Sequence, residues 1–212
     1  MNKLFIFGTK ETADLADFYF KTDSQFDVVG FTEDQPTENF FNKKPIIDYE
    51  DLKKKYNSED HLIFAPIIKN SSRYEVFNRV KKDGYSMPSY ISSKANLWNK
   101  EIVGENCFIQ ELNNIQYGTT LGNNCILWAG NHIGHHGKIG HNVFFTSHVV
   151  LSGQCEVGDF SYFGVNSTIR DGLQIAEGTM IGMGCNQTKN TEEWSFYLGS
   201  PGKRIGNSKK YL

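Results

Sequence analysis

Every sixth residue between Leu97 and Ile181 is apolar, and this period constrains the fold more than any other feature of the chain. Neither an α-helix nor an alternating strand has a period of six, whereas hexapeptide repeats are typical of a parallel β-helix. Three hexads would close one triangular coil of about 18 residues. The series is Leu97, Val103, Ile109, Ile115, Leu121, Leu127, Ile133, Ile139, Phe145, Leu151, Val157, Phe163, Ile169, Ile175 and Ile181.

The positions beside each apolar residue support the same fold. The residue two before it is mostly small, as at Asn113, Thr119, Cys125, Gly137, Cys155, Ser161, Ser167 and Thr179. Because side chains alternate along a strand, both positions are expected to face inward. Glycine often follows the apolar residue, which predicts that a corner begins there, where a residue without Cβ is conformationally cheapest.

The four cysteines share one position in this repeat. Each lies four residues after a member of the apolar series, in the small interior slot: Cys107, Cys125, Cys155 and Cys185. We therefore expect free, buried thiols that pack in the core, and neither disulfides nor metal ligands.

Residues 1–92 have a different rhythm. Short apolar runs such as KLFIFG, DVVGFT and HLIFAPII alternate with helical patterns such as ETADLADFYFK and SSRYEVFNRVKKDG. Alternation of this kind indicates parallel strands joined by crossover helices. The sequence therefore predicts an α/β Rossmann-like domain over residues 1–92, followed by the β-helix and a C-terminal tail over residues 93–212.

A ligand of the first domain is expected where its strands end. Open α/β sheets bind ligands outside the carboxyl ends of their strands. The candidate residues there are Gly8, Thr9, Lys10, Glu33 and Asp34. No G-x-G-x-x-G segment is present, so a dinucleotide site is not predicted, and a structural platform without a ligand is the alternative.

Composition excludes several classes of partner. The net charge of −2 gives no basic excess for nucleic acid or an anionic membrane. No apolar run approaches the roughly 20 residues of a membrane-spanning helix, and the first residues show no signal-peptide cleavage site. We expect a cytoplasmic protein that binds no nucleic acid and does not span a membrane.

Five of the six histidines fall within Asn131–Val150, namely His132, His135, His136, His141 and His148. The hexad register predicts that none of them is interior. His135 and His141 lie on different corners, and His136 and His148 face outward at the starts of strands. Strand direction is expected to send His135 and His136 apart, and no acid or cysteine joins them, so we predict no metal site. Surface positions and contacts with a neighbouring subunit are the other interpretations.

The stacking of coils places particular residues above His135. Adding 18 gives Gly153, and adding 18 again gives Asp171, which Gly172 follows. A base that lies about 4.8 Å from a glycine with an unblocked backbone N–H is a minimal arrangement for acyl transfer. The base removes a proton from the attacking group, and the N–H holds the carbonyl oxygen as charge develops on it.

This pattern resembles the left-handed β-helix acyltransferases, and more closely the branch with an N-terminal Rossmann-like domain. That branch includes bacterial nucleotide-sugar N-acetyltransferases of the PglD, perosamine acetyltransferase and NeuD-like type. The resemblance rests on the hexads, on the segments IGHHGKIG and SGQCEVGDFSYFGVNSTI, and on the tail YLGSPGKRI. It implies a homotrimer in which acetyl-CoA lies in the groove between neighbouring β-helices. Exposed Trp128, Phe144, His132 and His148 would contact the neighbouring subunits.

The resemblance also implies roles for single residues. His135 falls on the family's catalytic histidine, and Gly153 falls on the amide that holds the thioester oxygen. His136 takes the place of an acid that is common in the family, and it is expected to orient His135 or touch the sugar. Lys203 and Arg204 are expected near the phosphates of the coenzyme, where cations attract anions. His141 would face the substrate or an interface.

The function implied is acetyl-CoA-dependent N-acetylation of a nucleotide-linked amino sugar for cell-surface polysaccharide, with no metal. Acetylation of a sugar hydroxyl is the alternative within the same class. Two other classes stay open on sequence alone: a β-helix that serves only in assembly, and a zinc enzyme with histidines that converge across a trimer interface. Binding of acetyl-CoA and zinc analysis would separate them.

Overall fold

The structure is a computed structural model that describes residues 2–211. The chain divides into two compact units, of which the first ends at Tyr90 and the second begins at Ile91. In the described part of the chain, the helices are all too short or too polar to cross a membrane.

The first unit is a five-stranded sheet with three helices. Its strands lie in the order β3-β4-β2-β1-β5, and all neighbours are parallel except the β3–β4 pair. The short antiparallel β3–β4 hairpin was not predicted from the sequence. In chain order the elements are β1 (Asn2–Phe7), α1 (Glu11–Thr22), β2 (Phe26–Glu33), β3 (Phe40–Phe41), β4 (Lys44–Asp48), α2 (Tyr49–Lys55), β5 (His61–Phe64) and α3 (Asn70–Lys82).

Burial in the first unit follows the sequence pattern. The central strand β1 is apolar on both faces, as expected for a parallel strand covered by helices. Helix α1 buries Ala13, Ala16 and Phe20, which recur at helical spacing. The carboxyl ends of β1 and β2 are adjacent in the sheet, because Phe7 pairs with Thr32. The loops after these two strands therefore meet at one edge.

The second unit is built from short strands that recur every six residues. A 3-10 helix, Lys100–Ile102, interrupts the first coil. The strands are β6 (Tyr90–Ile91), β7 (Asn96–Leu97), β8 (Phe108–Ile109), β9 (Asn114–Ile115), β10 (Thr120–Leu121), β11 (Ile126–Leu127), β12 (His132–Ile133), β13 (Lys138–Ile139), β14 (Phe144–Phe145), β15 (Val150–Leu151), β16 (Glu156–Val157), β17 (Tyr162–Phe163), β18 (Thr168–Ile169), β19 (Gln174–Ile175), β20 (Met180–Ile181), β21 (Asn186–Gln187), β22 (Ser195–Leu198) and β23 (Lys203–Asn207).

These strands form the three faces of a parallel β-helix, as the hexads predicted. One face is β10-β13-β16-β19, the second runs from β8 through β11, β14, β17 and β20 to β22 and β23, and the third is β7-β9-β12-β15-β18-β21. Strands on one face pair in parallel at a separation of 18 residues, as where Ile133 pairs with Leu151. Strand β23 runs antiparallel against β22.

The core of the β-helix consists of the predicted residues. All members of the apolar series from Ile109 to Ile181 are at most 5% exposed. The small residues two before them are buried as well, and most of their polar side-chain atoms bond to backbone, whereas Ser167 Oγ has no partner among the described residues. For example, Thr119 donates to Gly134 O and accepts from Gly137 N. The four cysteines are free and buried in the interior slot, which confirms their predicted placement.

The repeated glycines begin the corners, as predicted, but the predicted conformational reason for them is wrong. The glycine after each apolar residue has ordinary backbone angles, and what excludes a side chain is the next coil. At Gly134 a Cβ would stand 2.5 Å from Gly153 N. The left-handed backbone instead occurs two residues later, at every such position from Asn106 to Gly184. Asparagine and glycine recur there because they tolerate positive φ.

A second expectation, that Phe144 is exposed, is also wrong. Its side chain is 2% exposed, because the rings of Trp128 and Tyr162 lie against it with centroids 5.4 Å away on each side. Trp128 is half-buried in the same aromatic stack. His132 is half-buried near Asn114, and His148 is exposed.

Candidate active site

The candidate site lies on the corner between the face containing β12 and the face containing β13. In successive coils this corner carries Tyr117, His135, Gly153 and Asp171, because β9, β12, β15 and β18 pair in register. We call it the His135 corner. A Cβ added to Gly153 would lie 2.7 Å from both Cε1 and Nε2 of His135, so the imidazole packs directly against this glycine. His135 is exposed to solvent on its other side.

The backbone N–H of Gly153 forms no hydrogen bond within residues 2–211. The next corner of the same coils is different, because three successive side chains there accept the corner N–H of the coil before them. The N–H of Asn123 donates to His141 Nδ1 at 2.9 Å, and the N–H of His141 donates to Asp159 Oδ1 at 2.7 Å. Gly153 has no side chain that could cap the N–H of His135 in this way.

His136 lies beside His135, and this corrects the expectation that the two side chains diverge. Their Nδ1 atoms are 3.1 Å apart, and the ring planes are inclined by 81°. The cause is the backbone at His136, whose φ of 53° breaks the alternation of an extended strand. His136 is therefore a corner residue, and β13 begins only at Lys138. His148 adopts the same left-handed conformation on a third corner, with φ of 59°.

Two aromatic residues near the histidines were not identified from the sequence. The Tyr117 ring lies 5.5 Å from the His136 ring, and the Trp98 ring lies 5.1 Å from Tyr117. Tyr117 was identifiable by the stacking rule, because subtracting 18 from His135 gives this residue. The prediction extended the stack only to later residues, Gly153 and Asp171, and not to the earlier residue Tyr117.

The remaining β-helix candidates occupy different positions. Asp171 and Gly172 are exposed on the His135 corner, but Gly172 N donates to Gly153 O at 2.9 Å and is not a free donor. His141 is an exposed corner residue whose Nδ1 is used as an acceptor. Its position outside the His135 corner agrees with the register.

The tail places its two basic residues on β23. Lys203 and Arg204 are both exposed. The Arg204 guanidinium donates from Nε to Ser195 Oγ at 2.9 Å and lies 3.5 Å from Glu192 Oε2. Its charge is therefore partly paired, whereas Lys203 forms no ion pair within the described residues.

The predicted residues of the first unit line one cleft. It has a volume of about 960 Å³ and is bordered by Gly8, Thr9, Lys10, Glu33 and Asp34, together with the start of helix α1. Thr9 Oγ1 donates to Glu33 Oε2 at 2.7 Å, and Asp34 pairs with Arg79 at 2.9 Å. The N–H groups of Glu11 and Thr12 in the first turn of α1 precede the first helical bonds, which begin at Ala13.

Among residues 2–211, no three or more His, Cys, Asp or Glu side chains converge as a metal site requires. The pairing of His135 with His136 brings only two nitrogen atoms together.

Comparisons with known proteins bear on the fold. No family model matches the chain. The acetyltransferase domain of PglB from Neisseria gonorrhoeae superposes with a TM-score of 0.82 at 19% identity, over 97% of this chain and 100% of that one. A variant of the perosamine N-acetyltransferase from Caulobacter crescentus gives 0.87 at 17% identity, over 98% of each chain. The chain shares the fold of these acetyltransferases. WeeI from Acinetobacter baumannii is also similar, with 0.80 at 19% identity over 95% of this chain and 99% of that one.

Proposed function

We propose that this protein is an acetyl-CoA-dependent N-acetyltransferase that acts on a nucleotide-linked amino sugar used for cell-surface polysaccharide. The observation that carries the proposal is the contact between the His135 imidazole and Gly153, whose N–H is free. A base and an unpaired backbone donor on one exposed corner are the two groups that acyl transfer to an amine requires.

Each group has one role in the reaction. Acetyl-CoA supplies the acetyl group as a thioester. The sugar amine forms a C–N bond with the carbonyl carbon, the C–S bond breaks, and His135 Nε2 takes the proton that the nitrogen loses. The N–H of Gly153 donates to the carbonyl oxygen as negative charge develops there. The proton on His135 then passes to the departing sulfur, which leaves as the thiol and restores the base.

The ligands of structural neighbours support both substrates. The perosamine N-acetyltransferase was captured with CoA and GDP-perosamine, and the PglB domain with acetyl coenzyme A. In our proposal the β-helix is left-handed as in the resembling enzymes, and the cationic Lys203 and Arg204 lie near the coenzyme phosphates, with Asp171 and Gly172 beside the thioester.

The cleft of the first unit is proposed to hold the nucleotide. In this Rossmann-like arrangement, the free N–H groups at the start of α1 face phosphate oxygens. Glu33, at the carboxyl end of β2, stands where α/β nucleotide-binding domains place an acid toward ribose hydroxyls. Gly8, Thr9, Lys10 and Asp34 complete the walls of the cleft.

We further propose that the enzyme is a cytoplasmic homotrimer. On the third corner Val165 and Met183 are exposed in successive coils, and Leu112 is exposed three coils earlier, and exposed apolar side chains of this kind are found at association surfaces. His132, His141 and His148 would contact a neighbouring chain or the substrate. The free thiols of the core are typical of proteins in a reducing compartment.

A direct assay tests the proposed activity. Purified protein is incubated with acetyl-CoA and a panel of nucleotide-linked amino sugars, with release of thiol followed spectroscopically and the product identified by mass spectrometry. We expect one or more amino sugars to gain an acetyl group on nitrogen. Acetylation on a hydroxyl would instead support the O-acetyltransferase. Failure to bind acetyl-CoA by calorimetry would contradict the enzyme and favour a β-helix that serves only in assembly.

A further inference from the structure

We propose that the pocket on the opposite side of His135 from Gly153 binds the pyranose ring of the acceptor, and that this ring is a neutral amino sugar. The inference rests on the proposed function, which it deepens by assigning a sugar site. The pocket has a volume of about 470 Å³ and is lined by His135 together with Asn96, Trp98, Asn114, Gln116 and Tyr117. All of these residues belong to the second unit.

The position of the pocket follows from the stacking of coils. Tyr117 occupies the corner one coil before His135, and Gly153 occupies it one coil after. The two sides of the imidazole therefore meet different surroundings. Gly153 offers a bare backbone N–H, which suits a carbonyl oxygen, while the pocket offers side chains, which suit a molecule that must be recognised by shape.

Two aromatic rings form the apolar part of the pocket. Tyr117 is 66% exposed and Trp98 is 41% exposed, and their rings meet at 63° with centroids 5.1 Å apart. Trp98 is held in place because its Nε1 donates to Thr119 O at 3.1 Å. Large aromatic faces left open beside the proposed base suit the C–H faces of a pyranose.

Amide side chains form the polar part. Asn96 Nδ2 donates to Asn114 Oδ1 at 3.1 Å, and Asn114 Nδ2 lies 3.5 Å from His132 Nδ1. These contacts fix which way the amides face. Asn96, Asn114 and Gln116 supply both donors and acceptors, which is what sugar hydroxyls require.

The charge of the lining limits the sugar. None of the residues that line the pocket is Asp, Glu, Lys or Arg. The lining group that a carboxylate could pair with is His135, and that pairing would stabilise the protonated imidazole, which cannot act as the base. The pocket therefore favours a neutral ring with hydroxyl groups over an amino uronic acid.

The experiment pairs a binding measurement with kinetics. Saturation-transfer NMR measures contact between the protein and the methyl glycosides of glucosamine and of its uronic acid counterpart. Tyr117→Leu removes the aromatic face, and Tyr117→Phe keeps it. We expect the glucosamine signal to be lost in Tyr117→Leu and retained in Tyr117→Phe, with the uronic acid giving little signal. Phe40→Leu, in which a ring of equal exposure is removed from the first unit, is the matched control.

The kinetic measurement uses the acceptor that the enzyme acetylates. Tyr117→Leu should raise KM for that acceptor about tenfold and leave KM for acetyl-CoA unchanged. Equal NMR signals from wild type and Tyr117→Leu, no signal from wild type, or equal signals from the two glycosides would each overturn the inference.

The two proposals fail in different ways. If no acetyl transfer is found but glucosamine binding depends on the Tyr117 ring, the sugar site stands and the proposed function falls. If transfer is found and Tyr117→Leu changes neither binding nor KM, the function stands and the sugar site falls.

Discussion

The Nδ1 atoms of His135 and His136 lie 3.1 Å apart, which is hydrogen-bonding distance, and the tautomers decide which ring donates. A neutral imidazole carries a proton on one nitrogen and a lone pair on the other. If His136 accepts at Nδ1, the proton is on His135 Nδ1, and the exposed Nε2 of His135 keeps its lone pair. His136 would then do what a carboxylate does beside other catalytic histidines, which is to fix the tautomer and the ring orientation.

This arrangement predicts that kcat falls in one substitution of His136 and is largely kept in another. His136→Gly suits the positive φ but removes the acceptor, and kcat should fall about 10- to 100-fold. His136→Asn tolerates the same φ and carries its side-chain oxygen near the place of Nδ1, so it should keep most of kcat. His148→Gly is the matched control, because it changes a histidine with the same backbone on another corner. Equal losses in both His136 variants would contradict the tautomer argument.

Replacing the base itself should have a larger effect. His135→Asn removes Nε2, and loss of a general base typically lowers the rate about 10²- to 10⁴-fold. Steady-state kinetics should show this fall in kcat with acetyl-CoA affinity retained by calorimetry. His148→Asn, in which another exposed corner histidine is changed, should lose far less. Retention of more than about a tenth of wild-type kcat in His135→Asn would rule out this assignment.

Gly153→Ala tests the contact between the two groups. The new Cβ would stand 2.7 Å from the His135 ring, closer than real Cβ contacts, so the imidazole must move. A displacement of this size should lower kcat by about 100-fold, with little loss of thermal stability because the φ of Gly153 is ordinary. Gly206→Ala provides the control, since its Cβ meets no atom within 4 Å. An unchanged kcat in Gly153→Ala would show that the imidazole is not fixed there.

A ladder of buried asparagines makes a prediction about stability. Asn124 Nδ2 donates to Asn142 Oδ1, and Asn106 Nδ2 donates to Asn124 Oδ1, all at left-handed positions. Asn124→Ala should destabilise the protein by about 2–4 kcal/mol, because it adds backbone strain and removes two side-chain hydrogen bonds between buried amides. Asn166→Ala changes an exposed residue with the same backbone and should show only the strain, about 1 kcal/mol. Chemical denaturation compares the two, and equal losses would mean that the ladder contributes nothing.

The thiols should be inert in the folded protein. Burial raises the pKa of Cys155 and of Cys185, so each stays protonated at pH 8 as well as being shielded from reagent. Titration with a disulfide reagent at pH 8 should label none of the four thiols until denaturant is added. Met183→Cys places a thiol at an exposed corner and should react at once. Rapid labelling of the native wild type would contradict the core placement.

Much of the β-helix was predictable because the same type of side chain recurs at every sixth position of the sequence. Because an apolar side chain fills the interior at every sixth residue, the repeat can be counted along a single sequence. The contact of His135 with Gly153 follows from it, because residues 18 apart stack in successive coils. The left-handed positions also have a sequence signal, because asparagine and glycine recur there, as Asn106, Asn124 and Asn142 and as Gly118, Gly130 and Gly172. The prediction was based instead on the glycines two residues before such positions.

What the sequence did not reveal depends on side-chain rotation and on neighbours in space. The meeting of His135 and His136 required the φ of His136, which no hexad rule specifies for histidine. Phe144 was expected to be exposed because its position faces outward. Outward side chains of neighbouring coils can nevertheless bury one another, and here the rings of Trp128 and Tyr162 cover Phe144. The β3–β4 hairpin is too short to leave a periodic pattern.

The 18-residue register has a consequence for how this chain can change in length. Deleting one residue from the strand at Ile139 would turn every later core side chain toward solvent and set Gly153 one place out of line with His135. Removing a whole coil beyond Asp171 would leave that alignment intact. Length can therefore vary in this unit only by complete turns or by loops that leave a corner and return to it, and the distance from the His135 corner to the tail changes in steps of one coil height.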